Sequence, residues 1–348
     1  MVTNDVRSLE SLGTIRRRAV TVSSEDLVRF GTLASGRLPL LVEPAREGVD
    51  LKAWAAANRQ VVEEKLRQHG GILFRGFDLQ DPEDLEAFIH AVSGELLEYR
   101  ERSSPRTSVK GSIYTSTDYP ASQSIFLHNE NSYQKEWPLK IFFLCKQPPA
   151  EGGETPIADC RKVLARIPPE VRERFAARQW MYVRNFGDGF GLPWQTVFQT
   201  TDKEAIAAHC KDKGIEVEWK EGDRLRTRAV RSALARHPKT GELVWFNHAT
   251  FFHVSTLEPT VRDGFLAEFA AGDLPANTYY GDGSPIGPEV MEQLRAAYRS
   301  ETVSFPWQQG DLLMLDNMLV AHGRAPYSGP RQILVGMAES VGQEQVRP

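Results

Sequence analysis

His128 and Glu130 stand two positions apart in the run Ser124-Ile125-Phe126-Leu127-His128-Asn129-Glu130, and His322 stands far downstream in Met318-Leu319-Val320-Ala321-His322-Gly323-Arg324. Two imidazoles and one carboxylate are the donor set of a mononuclear non-haem iron site that keeps open positions for chemistry. Residues i and i+2 of a strand point to the same face, so His128 and Glu130 can reach one metal from a strand or its end. A third ligand must come from elsewhere. His322 is the best candidate, because it follows the turn-like Asp316-Asn317 and precedes a loop rich in glycine and proline. Taken singly these pieces are ordinary: a His-x-Glu pair is most often a surface pair, and a lone histidine a satisfied core residue.

Two further features bear on the same chemistry. Arg331 opens the apolar run Arg331-Gln332-Ile333-Leu334-Val335. A guanidinium at the start of a buried strand needs an anionic partner, and its planar fork matches a carboxylate bidentately. In isolation a protein acid would be the commoner partner. Glu151-Gly152-Gly153-Glu154-Thr155-Pro156 combines two glycines that permit a sharp turn or close backbone approach with the short hydroxyl of Thr155.

With Gly71-Ile72-Leu73-Phe74-Arg75-Gly76-Phe77 and Gly310-Asp311, these pieces resemble the taurine dioxygenase/TfdA superfamily of Fe(II)- and 2-oxoglutarate-dependent oxygenases. They occur in the family's order and span most of the chain, from about residue 50 to 340. The resemblance implies a mainly β fold with α insertions, a double-stranded β-helix (jelly-roll) core flanked by helices, with iron at its open end. It implies that His128, Glu130 and His322 bind Fe(II) and form the catalytic centre, and that Arg331 and Thr155 hold the distal carboxylate of 2-oxoglutarate. O2 is the remaining co-substrate. One departure is informative: much of the superfamily has His-x-Asp where this chain has His-x-Glu. The Glu form, with the flanks Ser116-Thr117-Asp118-Tyr119-Pro120 and Asn131-Ser132-Tyr133, is similar to the clavaminate-synthase-like branch and to syringomycin aspartyl hydroxylase. Related halogenases carry Ala or Gly in place of the carboxylate, so Glu130 argues against halogenation. The resemblance therefore implies hydroxylation, desaturation or ring closure at an unactivated C–H of an amino-acid-like substrate, free or presented on a carrier protein, in natural-product (antibiotic) biosynthesis. The competing readings are a catabolic dioxygenase of a sulfonate or aryloxy acid and a non-catalytic jelly-roll binding protein.

Candidate substrate residues cluster near the metal positions: Asn131, Ser132 and Tyr133 after the His-x-Glu pair, Arg100, Arg106 and Thr107 before it, Arg184 and Asn185 in Tyr182-Val183-Arg184-Asn185-Phe186, His248, and Arg324 two residues past His322. Each is more often an ordinary loop or surface residue. Phe251, Phe252, Trp194 and His209 read as core, and His69, His90, His237 and His253 as structural histidines.

The elements that must position these groups are legible in outline. A helix is expected from about Leu51 to His69, stopped at Gly70-Gly71, then a short buried strand Ile72-Leu73-Phe74. A second helix is expected to start from the N-cap Asp81 with Pro82 in its first turn, burying Leu85, Phe88, Ile89 and Val92 at helical spacing. Ile125–Leu127, Ile141–Leu144, Leu243–Phe246, Thr302–Trp307, Asp311–Leu315 and Gln332–Met337 read as strands. Pro168-Pro169-Glu170 opens one helix, and Thr201-Asp202 opens another that Gly214 ends. Strands early and late with a helical middle suggest one oxygenase domain over residues 1–348: an extended lead-in over 1–50, and a helix- and loop-rich insertion over about 160–300.

Composition fits a soluble globular protein. The chain of 348 residues has a net charge of -4, which gives no support to a nucleic-acid surface. It has no apolar run of membrane-spanning length, and its first twenty residues lack a signal-peptide core. Cys145, Cys160 and Cys210 are odd in number and widely spaced, which favours reduced thiols and a cytoplasmic location. The expected partner is a small molecule; homo-oligomerisation is left open.

Overall fold

The computed structural model describes residues 27–33, 36–97, 108–115, 119–187 and 189–346. In the strand Glu136–Gln147, Ile141, Phe143 and Cys145 alternate with Phe142 and Leu144, and all five are buried. A strand whose two faces are both apolar must be covered on both sides. Phe142 and Leu144 pack with Trp54, Leu66, Phe88 and Ile89 of the N-terminal helices. Ile141, Phe143 and Cys145 belong instead to the core that includes Leu127, Ile157 and Val320 of a second, smaller sheet.

The strand lies inside an eight-stranded sheet with the order Val28–Leu33, Gly36–Pro44, Gly71–Phe74, Leu312–Asp316, Glu136–Gln147, Gln332–Gly342, Ile113–Thr115, Ser108–Lys110. Neighbours are antiparallel except Gly36–Pro44 and Gly71–Phe74, which run parallel. The opposing sheet has the order Thr302–Val303, Ile157–Asp159, Val320–Arg324, Ile125–His128 and is antiparallel throughout. Two sheets around one core, with helices against the outer face, form the expected jelly roll.

Local signals place the helices. Asp50 caps Leu51–Ala57 by accepting from Lys52 and Ala53, and Asp81 caps Pro82–Ser93 by accepting from Asp84 at 2.9 Å. Gly70 closes Arg59–His69 in the left-handed conformation at φ 80°. The expected single helix over 51–69 is two, because Asn58 at φ -120° leaves helical geometry and turns its amide onto Trp54 O at 2.8 Å.

Other expectations differ more. Val28–Leu33 and Gly36–Pro44, within the expected lead-in, pair antiparallel at the edge of the large sheet, with Leu40 and Val42 buried. The middle stretch holds its own four-stranded antiparallel sheet, Ile215–Lys220, Arg224–Arg231, Trp180–Phe186, Ala276–Tyr280 in that order. The strand expected over Thr302–Trp307 is confined to Thr302–Val303. Among the described residues no helix is long and apolar enough to cross a membrane.

All three cysteines are buried, and none is in a disulfide among the described residues. Burial pushes the thiols of Cys145 and Cys160 up to about 12, so both stay protonated at neutral pH and are poor nucleophiles. A thiol reagent at pH 8 is expected to leave Cys145 and Cys160 unmodified in the folded protein and to label them once it is denatured. Labelling of either at the rate of a free thiol in the native protein would contradict that burial.

Candidate metal centre

His322 lies in the strand Val320–Arg324, directly across from His128 at the end of Ile125–His128 and from Ile157 on its other side. That register puts two imidazoles side by side, with ring centroids 4.5 Å apart. Glu130 follows in the turn after the strand, and its carboxylate comes within 3.9 Å of His322 Nε2. One donor atom from each of His128, Glu130 and His322 lies within 4.8 Å of the others. Ligands about 2.1 Å from one ion lie at most about 4.2 Å apart, so an ion would draw this set in slightly.

The donors suit a divalent metal. His128 Nδ1 sits 2.9 Å from the carbonyl of Phe126, which makes Nδ1–H the donor and leaves the Nε2 lone pair for a metal. This is the outer hydrogen bond that orients most metal-binding histidines. Glu130 and His322 are buried, and a carboxylate placed between imidazoles away from water needs a cation to offset its charge. Phe143 packs against His322 with ring centroids 5.1 Å apart, and Phe251 and His248 pack against His128 at 4.7 and 5.4 Å, which shields the donors from solvent. Burial, and then the neighbouring His128, hold the His248 imidazole well below its ordinary range, so it is neutral.

Asn317 fixes the backbone of Glu130. Its Oδ1 accepts from Glu130 N–H at 2.7 Å, while Nδ2 donates to Glu130 O at 2.9 Å and Pro138 O at 2.8 Å. Asn129 Nδ2 donates in turn to Asn317 O at 2.6 Å. Both asparagines are fully buried. The preceding Asp316 accepts from Met318 and Leu319 N–H and bonds His237 Nε2 at 2.9 Å. Asn317→Ala strands three buried backbone groups at about 1–3 kcal/mol each. The expected result is a loss of about 3–5 kcal/mol in urea unfolding of the metal-free protein and metal binding weakened by about 10–100-fold. A variant with wild-type stability and metal affinity would show that the clamp is idle.

Arg331 donates through Nε to Gly153 O at 2.9 Å, and its guanidinium lies 5.4 Å from the Tyr327 ring. Burial, then the like charge of Arg324, lowers its pKa to about 10. The double-glycine turn is required by that approach. A Cβ on Gly153 would meet Arg331 Cδ at 3.1 Å and Pro149 at 2.7 Å, and one on Gly152 would meet Pro326 O at 2.3 Å. Both glycines have φ near 66–69°. Thr155, two residues on, is buried and accepts from Trp307 Nε1 at 3.3 Å.

The candidate substrate residues divide. Ser132 and His248 are buried and joined by a 2.6 Å Oγ–Nδ1 hydrogen bond, and Tyr133 packs edge-on to His248 at 5.0 Å. These three form a layer behind His128. Asn131, at φ 56°, lines the start of a cleft of about 950 Å³ beside residues 134–138. None of the three metal donors lines this cleft. The donor set, not the cleft, locates the chemistry. Arg184 lines a smaller cavity next to it.

Two candidates are tied to the fold through backbone carbonyls. Arg324 donates through Nη1 and Nη2 to the carbonyls of Tyr119, Pro120 and Gln123, while its buried Nε meets no acceptor among the described residues. Asn185 holds the loop before the strand Ala276–Tyr280, donating to Gly272 and Leu274 carbonyls and accepting from Arg226. Arg100, Arg106 and Thr107 lie outside the described residues, as do Ser116, Thr117 and Asp118. Phe251, read as core, touches His128 instead, and His209, also read as core, is half-exposed on the cleft. Asn317 and Asn129 were not recognised from sequence; the only available signal was the Asp316-Asn317 pair a few residues before His322.

Comparison with known proteins adds an independent line. A family model described as "Taurine catabolism dioxygenase TauD, TfdA family" matches residues 36–338. The dapdiamide synthesis protein DdaC of Enterobacter agglomerans is 40% identical over 280 residues, covering 80% of this chain and 85% of that protein. A clavaminate synthase-like protein of Arabidopsis thaliana is 30% identical over 295 residues, covering 81% and 85%. Among solved structures, PvcB, described as an Fe, alpha-ketoglutarate dependent oxygenase from an isonitrile synthetic pathway, shares the fold. Its TM-score is 0.56 at 17% identity, over 94% of this chain and 98% of that one.

Proposed function

We propose that this chain, which belongs to the TauD, TfdA family of taurine catabolism dioxygenases, oxidises a C–H bond of an amino-acid-like small molecule at a centre formed by His128, Glu130 and His322. It is an Fe(II)/2-oxoglutarate-dependent dioxygenase that uses O2. When bound, the iron supplies open coordination positions and couples decarboxylation of 2-oxoglutarate, to succinate and CO2, with oxidation of the substrate. The convergence of the three donors on one point, from two neighbouring strands and the turn that follows one of them, carries this reading.

The chain's own groups set the conditions for that chemistry. His128 offers Nε2 because Phe126 O holds Nδ1–H. Glu130 brings one negative charge, and Asn317 fixes its backbone. Arg331, turned toward Gly153 by the glycine turn, takes the far carboxylate of 2-oxoglutarate, with Thr155 as the second contact. Phe143, Phe251 and neutral His248 keep water from the ligands, which strengthens every electrostatic contact there.

An amino-acid-like substrate, free or carried on a protein, is supported by the His-x-Glu form and by the relatives, one named for dapdiamide synthesis and one as clavaminate synthase-like. The test measures succinate released above the substrate-free background, with free amino acids, aminoacyl-carrier conjugates, taurine and an aryloxyacetate as separate arms. Stimulation by an amino acid or its conjugate is expected; stimulation by taurine or the aryloxyacetate alone would overturn this substrate class.

A further inference from the structure

Arg184 occupies the middle of the strand Trp180–Phe186, on the face where Tyr182 and Phe186 flank it and Leu225 and Ala229 lie on the adjoining strand. Its cross-strand partner there is the buried Thr227. The guanidinium is half-buried, 4.6 Å from the Phe186 ring centroid and 6.0 Å from that of Tyr182. Among the described residues it meets no carboxylate and no hydrogen-bond acceptor.

The other arginines of this sheet behave differently. On the opposite face Arg226 pairs with Asp273, and Arg228 with Glu216 and Glu218. On the same face Arg231 donates to the carbonyls of Tyr133, Lys213 and Gly214. A planar cation set among aromatic and aliphatic side chains without an acid costs stability, unless an anion arrives to fill its fork.

Space for one is present. Arg184 and Thr227 line a cavity of about 50 Å³, together with Tyr133, Tyr182 and Gln134. That volume holds a carboxylate-sized group, since a single water needs roughly 10–15 Å³ by the same measure. The other charged residues lining it, Lys135, Lys213 and Arg231, are all cations, and no acidic residue lines it. The cavity shares Gln134, Lys135, Val197, Phe198 and Lys213 with the large cleft that starts at Asn131, the residue after Glu130. Its Tyr133 wall is the ring that packs on His248, which packs on His128.

We propose that Arg184 and Thr227 form a carboxylate subsite, in which the guanidinium fork binds the acid end of a ligand in the cleft and the Thr227 hydroxyl donates to it. That this acid end belongs to the oxidised substrate rests on the oxygenase reading above; the subsite itself rests on the sheet face and its cavity.

Residue-resolved protection from 2,3-butanedione tests both separately. The protein, loaded with Mn(II), is modified with and without malonate, with and without 2-oxoglutarate, and each arginine is read by peptide mapping. Malonate is expected to slow modification of Arg184 by roughly threefold or more, as for a site two-thirds filled, while sodium chloride at equal ionic strength leaves it unchanged. Thr227→Val should weaken that protection and leave Arg331 as it was. An Arg184 that malonate does not slow, that salt slows equally, or that the small reagent never reaches, overturns the subsite. Failure of the oxygenase reading appears elsewhere in the same map, as an Arg331 that 2-oxoglutarate does not protect.

Discussion

His322→Ala protein, titrated with Mn(II) or Fe(II) in the absence of oxygen, is expected to bind the ion at least about 100-fold more weakly than the wild type. Outer partners of metal ligands typically cost 10–100-fold when removed, and His322 is proposed as a ligand itself. Its imidazole faces Glu130 at 3.9 Å and stands across from His128, so alanine leaves two donors and a buried carboxylate. The fold should survive, because the strand Val320–Arg324 keeps its pairing on both sides and a lost buried side chain of this size costs about 1–3 kcal/mol. Thermal unfolding of the metal-free variant checks that point. Exposed His90 serves as the control: His90→Ala should bind metal as the wild type does. Weakened binding in both variants, or in neither, would contradict the assignment.

Arg331→Met should act on the co-substrate and spare the metal. Removing one partner of a desolvated ion pair costs about 3–5 kcal/mol, which corresponds to about 10²-fold to several times 10³-fold in the apparent KM for 2-oxoglutarate. Metal affinity measured without 2-oxoglutarate should stay within about twofold, since Arg331 is held by Gly153 O and stacks near Tyr327 and is not itself a metal donor. The wild type has a matching pH signature. Burial has lowered the Arg331 pKa to about 10, so the guanidinium is charged at neutral pH and loses its proton as pH rises through that value. 2-Oxoglutarate binding is therefore expected to hold through the neutral range and to weaken as pH approaches 10. A KM unchanged by Arg331→Met would remove the residue from the co-substrate site.

The parts of this architecture that were legible in the sequence are those with a local cause. Gly70 after a helical run and Asp81 before Pro82 announce their helix ends, and both act as the caps expected. The strand Arg224–Arg231 was equally legible and was missed: Leu225, Thr227 and Ala229 alternate with outward arginines in a clear period of two. The break at Asn58 left no trace in the periodicity, because it depends on one side chain turning back to Trp54 O.

The site shows the same division. His128, Glu130 and His322 were identifiable by residue type and spacing, and the structure brings them together. Arg324 and Asn185 are polar and near the motifs, and in the fold the Arg324 Nη groups and the Asn185 amide donate to backbone carbonyls far away in sequence. Which carbonyls lack a partner is a tertiary fact that no local pattern encodes. Phe251 reads as core for the converse reason: its contact with His128 depends on where the middle segment folds back.

The central claim is a His–Glu–His iron centre that takes 2-oxoglutarate. Its most direct test is anaerobic addition of Fe(II) and then 2-oxoglutarate to the wild type and to Glu130→Ala. The wild type is predicted to bind one of each per chain and to develop a weak visible charge-transfer band, which the variant lacks. A wild type that binds neither, or a Glu130→Ala protein with the same band at the same Fe(II) concentration, would contradict it.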